Sequence, residues 1–184
     1  WTRPYSPVFY NYGYTVSGTW LGVGGATVQY FNPFVVPTIR YRYFDYTQPI
    51  RPPLQGGQEG NQDLVRSERA MQSFDQARQW FRRGNTFQAE KLVDAAIGLL
   101  PNDPTLHQFR ALVLLSQKRY QEAAAVLYSV LAVSPGWDLA TITSLYGSID
   151  RYSMQVNQLA QYVATNPKAV DAQFLLAYHY AIKG

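Results

Sequence analysis

The sequence predicts an all-α fold that is preceded by an N-terminal arm of extended or β-type character. Two observations predict this fold class. A pattern of small residues and prolines recurs at intervals of about 34 residues through the later two thirds of the chain, a period typical of stacked helix pairs. In contrast, residues 1–60 are crowded with tyrosine, phenylalanine, proline and glycine, and they hold 14 of the 28 aromatic residues.

The repeating part contains three segments that end alike, at Pro101, Pro135 and Pro167. The first two prolines are 34 residues apart and the next two are 32 apart. Proline ends the second helix of each unit, and small residues let its two helices approach closely. The same spacing separates the small residues Ala77, Gly84, Ala89 and Ala96 of the first unit and the residues Ala111, Lys118, Ala123 and Val130 of the second.

This arrangement resembles the tetratricopeptide repeat, a unit of two antiparallel helices, over roughly residues 63–184. The resemblance implies a right-handed superhelix, preceded by an arm and a linker. The third unit departs from the pattern because it is two residues short and carries Gln155 and Tyr162 where the family has small residues. The predicted boundaries are 1–50 for the arm, 51–62 for the linker, and 63–103, 104–137, 138–169 and 170–184 for the units, the last one partial.

The resemblance also implies that the first helix of each unit lines a concave groove. The groove carried over to this chain is apolar, and it lacks the basic and asparagine residues with which some relatives clamp a terminal carboxylate. An extended apolar segment of another protein is therefore the expected guest. An alternative interpretation places Phe74, Leu112 and Phe174 in the core between repeats. The predicted groove residues are Met71, Phe74, Arg78, Phe81, Arg82, Gln108, Leu112, Leu115, Tyr146, Phe174 and Tyr178.

The arm contains segments of different character. Residues 1–18 are expected to be extended, residues 19–31 are either a strand or a short helix, and the alternation over residues 38–50 predicts a strand with one buried face. Because ordering the arm costs about as much free energy as burying its aromatic side chains returns, it needs an apolar surface from its own repeats or from a neighbouring copy. The residues predicted to make that contact are Phe31, Phe34, Tyr41, Tyr43, Phe44 and Tyr46.

Composition and motifs argue against several classes of function. Residues 61–184 carry 12 basic and 10 acidic side chains, too balanced for a nucleic-acid face. Without cysteine the chain has no thiol chemistry, and His107 and His179 lack partners at metal-ligand spacing, which favours surface or packing roles. No phosphate-binding loop or hydrolase motif occurs, and no apolar run of 18 residues. The sequence therefore predicts no enzymatic activity, no cofactor, no metal and no transmembrane segment.

The function predicted from these features is a structural one, in which the arm of one copy docks on the next and builds a filament or lattice. One alternative is a monomeric adaptor whose arm packs on its own repeats and whose groove binds a peptide. A second alternative is a cell-surface glycan binder that stacks sugars on Tyr41, Tyr43 and Tyr46. Low charge, abundant tyrosine and glycine and a loose similarity to bacterial envelope or secreted proteins favour an extracytoplasmic location.

Overall fold

The computed structural model describes residues 19–21, 27–36, 43–52 and 61–184 of the chain. Within these ranges helices dominate, so the predicted all-α class is confirmed. A short antiparallel hairpin precedes them. The elements are β1 Thr19–Leu21, β2 Thr27–Gln29, α1 Asn61–Arg82, α2 Thr86–Leu99, α3 Pro104–Ser116, α4 Tyr120–Leu131, α5 Leu139–Tyr146, α6 Ile149–Thr165 and α7 Val170–Ala181.

The turns between paired helices follow from local chemistry. Gly84, Lys118 and Gly147 have φ values of +82°, +61° and +73°, in the left-handed region that ends a helix, and the next helix begins two residues later each time. Short polar side chains satisfy the free amides at helix starts. Asn85 caps α2 by accepting from the Gln88 amide at 3.0 Å, and Asp138 caps α5 by accepting from the Thr141 amide at 2.8 Å.

The first two helix pairs pack as the small residues predict. Ala77 and Ala89 are buried between α1 and α2, and Ala111 and Ala123 are buried with α3 and α4. Since an alanine at each contact has no side chain beyond Cβ, the helices of a pair can approach closely. We call α1, α3, α5 and α7 the first helices, and α2, α4 and α6 the second helices.

A charged network joins the first pair to the second. Arg110 of α3 donates to Asp94 of α2 at 2.7 Å, and Arg119, just before α4, donates to Glu90 of α2 at 2.6 Å. Arg119 also bonds Glu122 through two nitrogens at 2.6 Å each, and this bond, with Glu90, raises the pKa of its guanidinium. The network therefore fixes α2 against both helices of the following pair.

The later helices fold back on the earlier ones. α5 packs on α1, where the Phe81 and Tyr146 rings lie 4.9 Å apart, and α7 packs on α4. The third pair is held by polar and aromatic contacts at the positions that depart from the repeat pattern. Gln155 accepts a hydrogen bond from the Tyr146 hydroxyl at 2.6 Å, and Tyr162 packs on Tyr120. The third unit is therefore packed through a hydrogen bond and an aromatic contact at the positions where the repeat pattern has small residues.

The arm differs from expectation in part of its length. β1 and β2 pair antiparallel with Trp20 opposite Val28. The extended or β-type character predicted for the arm as a whole stays a prediction. The strand predicted over residues 38–50 is wrong for its described part, because residues 43–50 contain turns and no strand. Asp45 causes this, since its carboxylate accepts from the Thr47 amide at 3.0 Å and its carbonyl from the Gln48 amide at 3.0 Å. Residues 37–42 lie outside the described residues.

Candidate functional site

A buried polar site lies where the arm meets α4. The Asn32 side-chain amide nitrogen donates to the Ala125 carbonyl at 2.8 Å and lies 3.1 Å from the Ser129 hydroxyl and 3.2 Å from the Tyr46 carbonyl. The side-chain oxygen Oδ1 of Asn32 accepts from the Phe34 amide at 3.1 Å, and its backbone carbonyl accepts from the Val35 amide at 3.4 Å, which closes a turn over residues 32–35. Asn32 is buried, so its bonds are made away from water.

A second buried contact joins the arm to α3. Tyr46 is fully buried, and its hydroxyl lies 2.7 Å from Nδ1 of His107. Nε2 of His107 lies 2.8 Å from the carbonyl oxygen of Pro101, which can only accept, so Nε2 carries the proton and Nδ1 accepts from Tyr46. Burial lowers the pKa of His107 to about 4, and the nearby Arg110 guanidinium adds to the lowering. His107 is therefore a neutral receptor for the arm hydroxyl at neutral pH.

Aromatic contacts extend this interface towards α7. The Phe34 ring stacks on Phe174 with centroids 4.8 Å apart and meets Tyr128 of α4 edge-on at 5.8 Å. The Tyr30 hydroxyl lies 2.7 Å from the Ser129 hydroxyl. Further along, Ile50 is buried against Val130 and Val133. These contacts place residues 30–34 and 44–50 of the arm on the chain's own helices.

The predicted arm residues therefore occupy different environments. Tyr46 is buried, while Phe34 and Phe44 are half-buried against the helices. Phe31 and Tyr43 are exposed, Phe31 over 72% of its surface. Tyr41 lies outside the described residues. The burial of Tyr46 also removes one of the three tyrosines to which sugar stacking was assigned.

Six of the predicted groove residues lie in the core, namely Phe74, Phe81, Gln108, Leu112, Leu115 and Tyr146. The reason is that the first helices pack directly on one another. The Phe81 ring contacts both Phe109 of α3 and Tyr146 of α5, and Gln108 of α3 donates to the Tyr178 hydroxyl of α7 at 2.9 Å. In this arrangement these side chains stabilise the fold and do not line an accessible groove.

The remaining five predicted groove residues are partly accessible. Met71 is exposed near the middle of α1, and Arg78 pairs with Asp75 on the same helix. Arg82 is exposed and donates to the Ser144 carbonyl of α5 at 2.8 Å. Phe174 is half-buried under Phe34, and Tyr178 accepts from the backbone amide of Trp137 at 3.3 Å. A role in protein binding stays a prediction for these five residues.

The sequence analysis did not identify the polar residues that hold the arm on α4. Asn32, Tyr30 and Ser129 belong to no motif, and each is surrounded in the sequence by aromatic or aliphatic residues that carry the stronger pattern. The turn-forming sequence Asn32-Pro33 was the one local signal, since asparagine before proline favours a turn. His107 and His179 were predicted to be surface or packing residues, and both are buried.

The described residues offer little reactive chemistry. Among them, no group of three or more histidine, aspartate or glutamate side chains is placed to hold a metal ion. His179 resembles His107 in that its Nδ1 lies 3.1 Å from a tyrosine hydroxyl, that of Tyr152, and burial lowers its pKa to about 4. None of the helices that the structure describes combines the length and apolarity needed to cross a membrane.

Comparison with known proteins gives no family for this chain. A scan against protein-family models found no match, and searches of curated proteins and of solved structures likewise found none.

Proposed function

We propose that this chain is a non-enzymatic, monomeric scaffold that binds other proteins, with its aromatic arm docked on its own helices. The observation that carries the proposal is Tyr46, which is fully buried in the helical body and bonded to His107. An arm held through buried hydrogen bonds completes the scaffold and is not available as a free ligand. Of the functions predicted from the sequence, the monomeric adaptor agrees best with this geometry.

We also propose that the helix pairs are tetratricopeptide-like. Support comes from equivalent positions in the units. Gly84, Lys118 and Gly184 each follow a first helix and each have a positive φ, and the first two are 34 residues apart, the period of the repeat. The buried alanines of the first two pairs give further support. The fold-back of α5 onto α1 is the feature that departs from a regular open superhelix.

Self-assembly through the arm is the second candidate. The arm residues bond helix residues that are far away in the sequence, as Asn32 does with Ala125, 93 positions on. An arm from a neighbouring copy would make the same bonds, and exchange of this kind builds open chains of subunits. Both candidates use the same docking surface and differ in which copy supplies the arm.

A cross-linking experiment separates the two candidates. Arg51 and Asn102 are both exposed, and the Arg51 amide lies 3.4 Å from Oδ1 of Asn102, so they report on docking without taking part in the core. The chain has no cysteine, so a double variant Arg51→Cys, Asn102→Cys is labelled at these positions alone with a short bis-maleimide. A monomeric scaffold gives a cross-linked band of one chain length at every protein concentration.

The contrary result is a ladder of covalent multimers that grows with concentration, which would reject the monomeric scaffold in favour of self-assembly. Each single-cysteine variant serves as a control for random collisions. Light scattering on the unmodified chain provides an independent mass, expected to equal that of one chain.

A further inference from the structure

The docked arm covers His107, the buried histidine of α3. Two aromatic rings contact its imidazole, Phe44 with centroids 4.6 Å apart and Tyr46 with centroids 5.4 Å apart, and both belong to the arm. His107 itself has an exposed fraction of 0%. Because its cover is supplied by residues 44–50, the imidazole regains contact with water when that segment leaves α3.

The hydrogen bonds of His107 hold its ring in one neutral form. Nε2 donates to the Pro101 carbonyl at 2.8 Å, and Nδ1 accepts from the Tyr46 hydroxyl at 2.7 Å. A second proton on the ring would have to bind Nδ1, the atom to which the Tyr46 hydroxyl donates. The arm and a proton from solvent therefore compete for the same nitrogen.

The charged groups near His107 also oppose a positive charge on its ring. Arg110 follows one turn later on α3, and two carboxylates of α2 pair with it, Asp94 at 2.7 Å and Glu90 at 3.9 Å. Its positive charge disfavours a second cation beside it. Burial raises the pKa of the Asp94 carboxyl, so Asp94 is a second group of this interface that can take up a proton in acid.

His179 has the same chemistry without the link to the arm. It is buried, and its Nδ1 lies 3.1 Å from the Tyr152 hydroxyl. The rings that contact it are those of Tyr152 on α6 and Tyr178 on α7. A proton on His179 therefore acts within the helical body, whereas a proton on His107 acts on the contact between the body and the arm.

We infer that His107 is an acid-sensitive switch for the arm, in which a proton on its Nδ1 displaces the Tyr46 hydroxyl and releases residues 44–50 while the helix pairs stay folded. The inference goes beyond the proposed scaffold function. It holds whichever copy supplies the arm, because the same atoms meet in either case.

Hydrogen exchange of residues 44–50 in the full chain tests the switch. The pKa of His107 is about 4 with the arm docked and returns to the ordinary 6.5 once water reaches the ring. Protection of these amides, corrected for the intrinsic rate of exchange, is therefore expected to fall about 20-fold between pH 7 and pH 5. His107→Gln has an acceptor and a donor but no proton to gain in this range, and its fall is expected to vanish.

His179→Gln is the matched control, since it makes the same change at the other buried histidine. It is expected to keep the fall in protection of residues 44–50. Both variants retain Asp94, so titration of that carboxyl cannot explain a difference between them. An equal fall in His107→Gln and in the unmodified chain would overturn the inference, and so would protection in the unmodified chain that does not change between pH 7 and pH 5.

A second variant decides the question if the arm of His107→Gln fails to dock at pH 7. Tyr46→Ala removes both the hydroxyl donor and one of the two rings that cover His107. Proton NMR of this variant is expected to show the His107 ring titrating near pH 6.5, with the His179 ring still neutral at pH 5. A His107 ring that also stays neutral at pH 5 would show that the arm does not control its proton. The cross-linking test at neutral pH is unaffected by any of these results, so the two proposals fail separately.

Discussion

At the scale of single residues, two glycines with the same backbone conformation differ in how closely a neighbouring side chain approaches them. Gly136 and Gly84 share a φ of +82°, a conformation that costs a side-chain-bearing residue about 1–2 kcal/mol. Their surroundings differ. A Cβ atom at Gly136 would lie 2.7 Å from the Tyr178 hydroxyl oxygen, whereas at Gly84 the nearest atom is 3.8 Å away.

The substitution Gly136→Ala is therefore expected to lower the free energy of unfolding by more than Gly84→Ala does. The difference is expected to be at least about 1 kcal/mol, because Tyr178 must move and its bonds with Gln108 and Trp137 weaken. Urea unfolding of both variants measures it. Equal destabilisation would mean that Tyr178 gives way without cost and that its two hydrogen bonds contribute little.

At the scale of elements, docking of the arm on α4 depends on the hydrogen bond that the Asn32 side chain donates. Asn32→Asp keeps the shape of the side chain but replaces the amide that donates to the Ala125 carbonyl with an acceptor. Two buried acceptors would then face each other, at a cost of about 1–3 kcal/mol. We expect the arm to leave α4 while the helix pairs stay folded.

Hydrogen exchange measured by mass spectrometry tests this expectation. Residues 44–50 are expected to exchange faster in Asn32→Asp, and α1 and α2 at the rate of the unmodified chain. Asn102→Asp is the matched control, because Asn102 is exposed and uses its oxygen as an acceptor for the Arg51 amide, which a carboxylate also provides. Unchanged exchange in residues 44–50 of Asn32→Asp would show that aromatic packing alone holds the arm.

At the scale of the whole molecule, the two buried histidines make stability depend on pH. His107 faces Tyr46 and Arg110, and His179 faces Tyr152 and Tyr178. Burial lowers both pKa values from 6.5 to about 4, so the unfolded chain binds more protons than the folded chain between these values. The free energy of unfolding is therefore unaffected by protonation of these histidines above pH 6.5. It falls as the pH drops towards 4, by about 1.4 kcal/mol per pH unit for each histidine.

Unfolding measured at pH 7 and pH 5.5 is expected to show this loss, in a range where most exposed carboxylates stay ionised. Proton NMR of the histidine rings gives an independent readout on the folded chain. Neither ring is expected to titrate between pH 7 and pH 5. A ring that titrates near 6.5 in the folded protein would show that its burial does not exclude the proton.

The repeat spacing was the part of the fold that local pattern could predict. Ala77, Ala89, Ala111 and Ala123 recur because a close helix pair requires a small residue at each contact, and that requirement is local enough to appear in the sequence. The predicted groove did not follow from the same pattern. Phe81 and Leu112 are on the first helices as predicted, yet α5 brings Tyr146 onto Phe81, and six of the eleven predicted groove positions lie in the core.

The sequence by itself determined the helical class of the chain and the small residues at which paired helices meet, because both follow from residues in a regular pattern along the chain. Only the tertiary structure decided that Asn32 bonds Ala125 and that Tyr46 bonds His107, across 93 and 61 positions. A polar partner at such a distance leaves no periodic trace. It is selected when folding brings one buried donor to one buried acceptor, and a solitary asparagine or histidine does not reveal that pairing in advance.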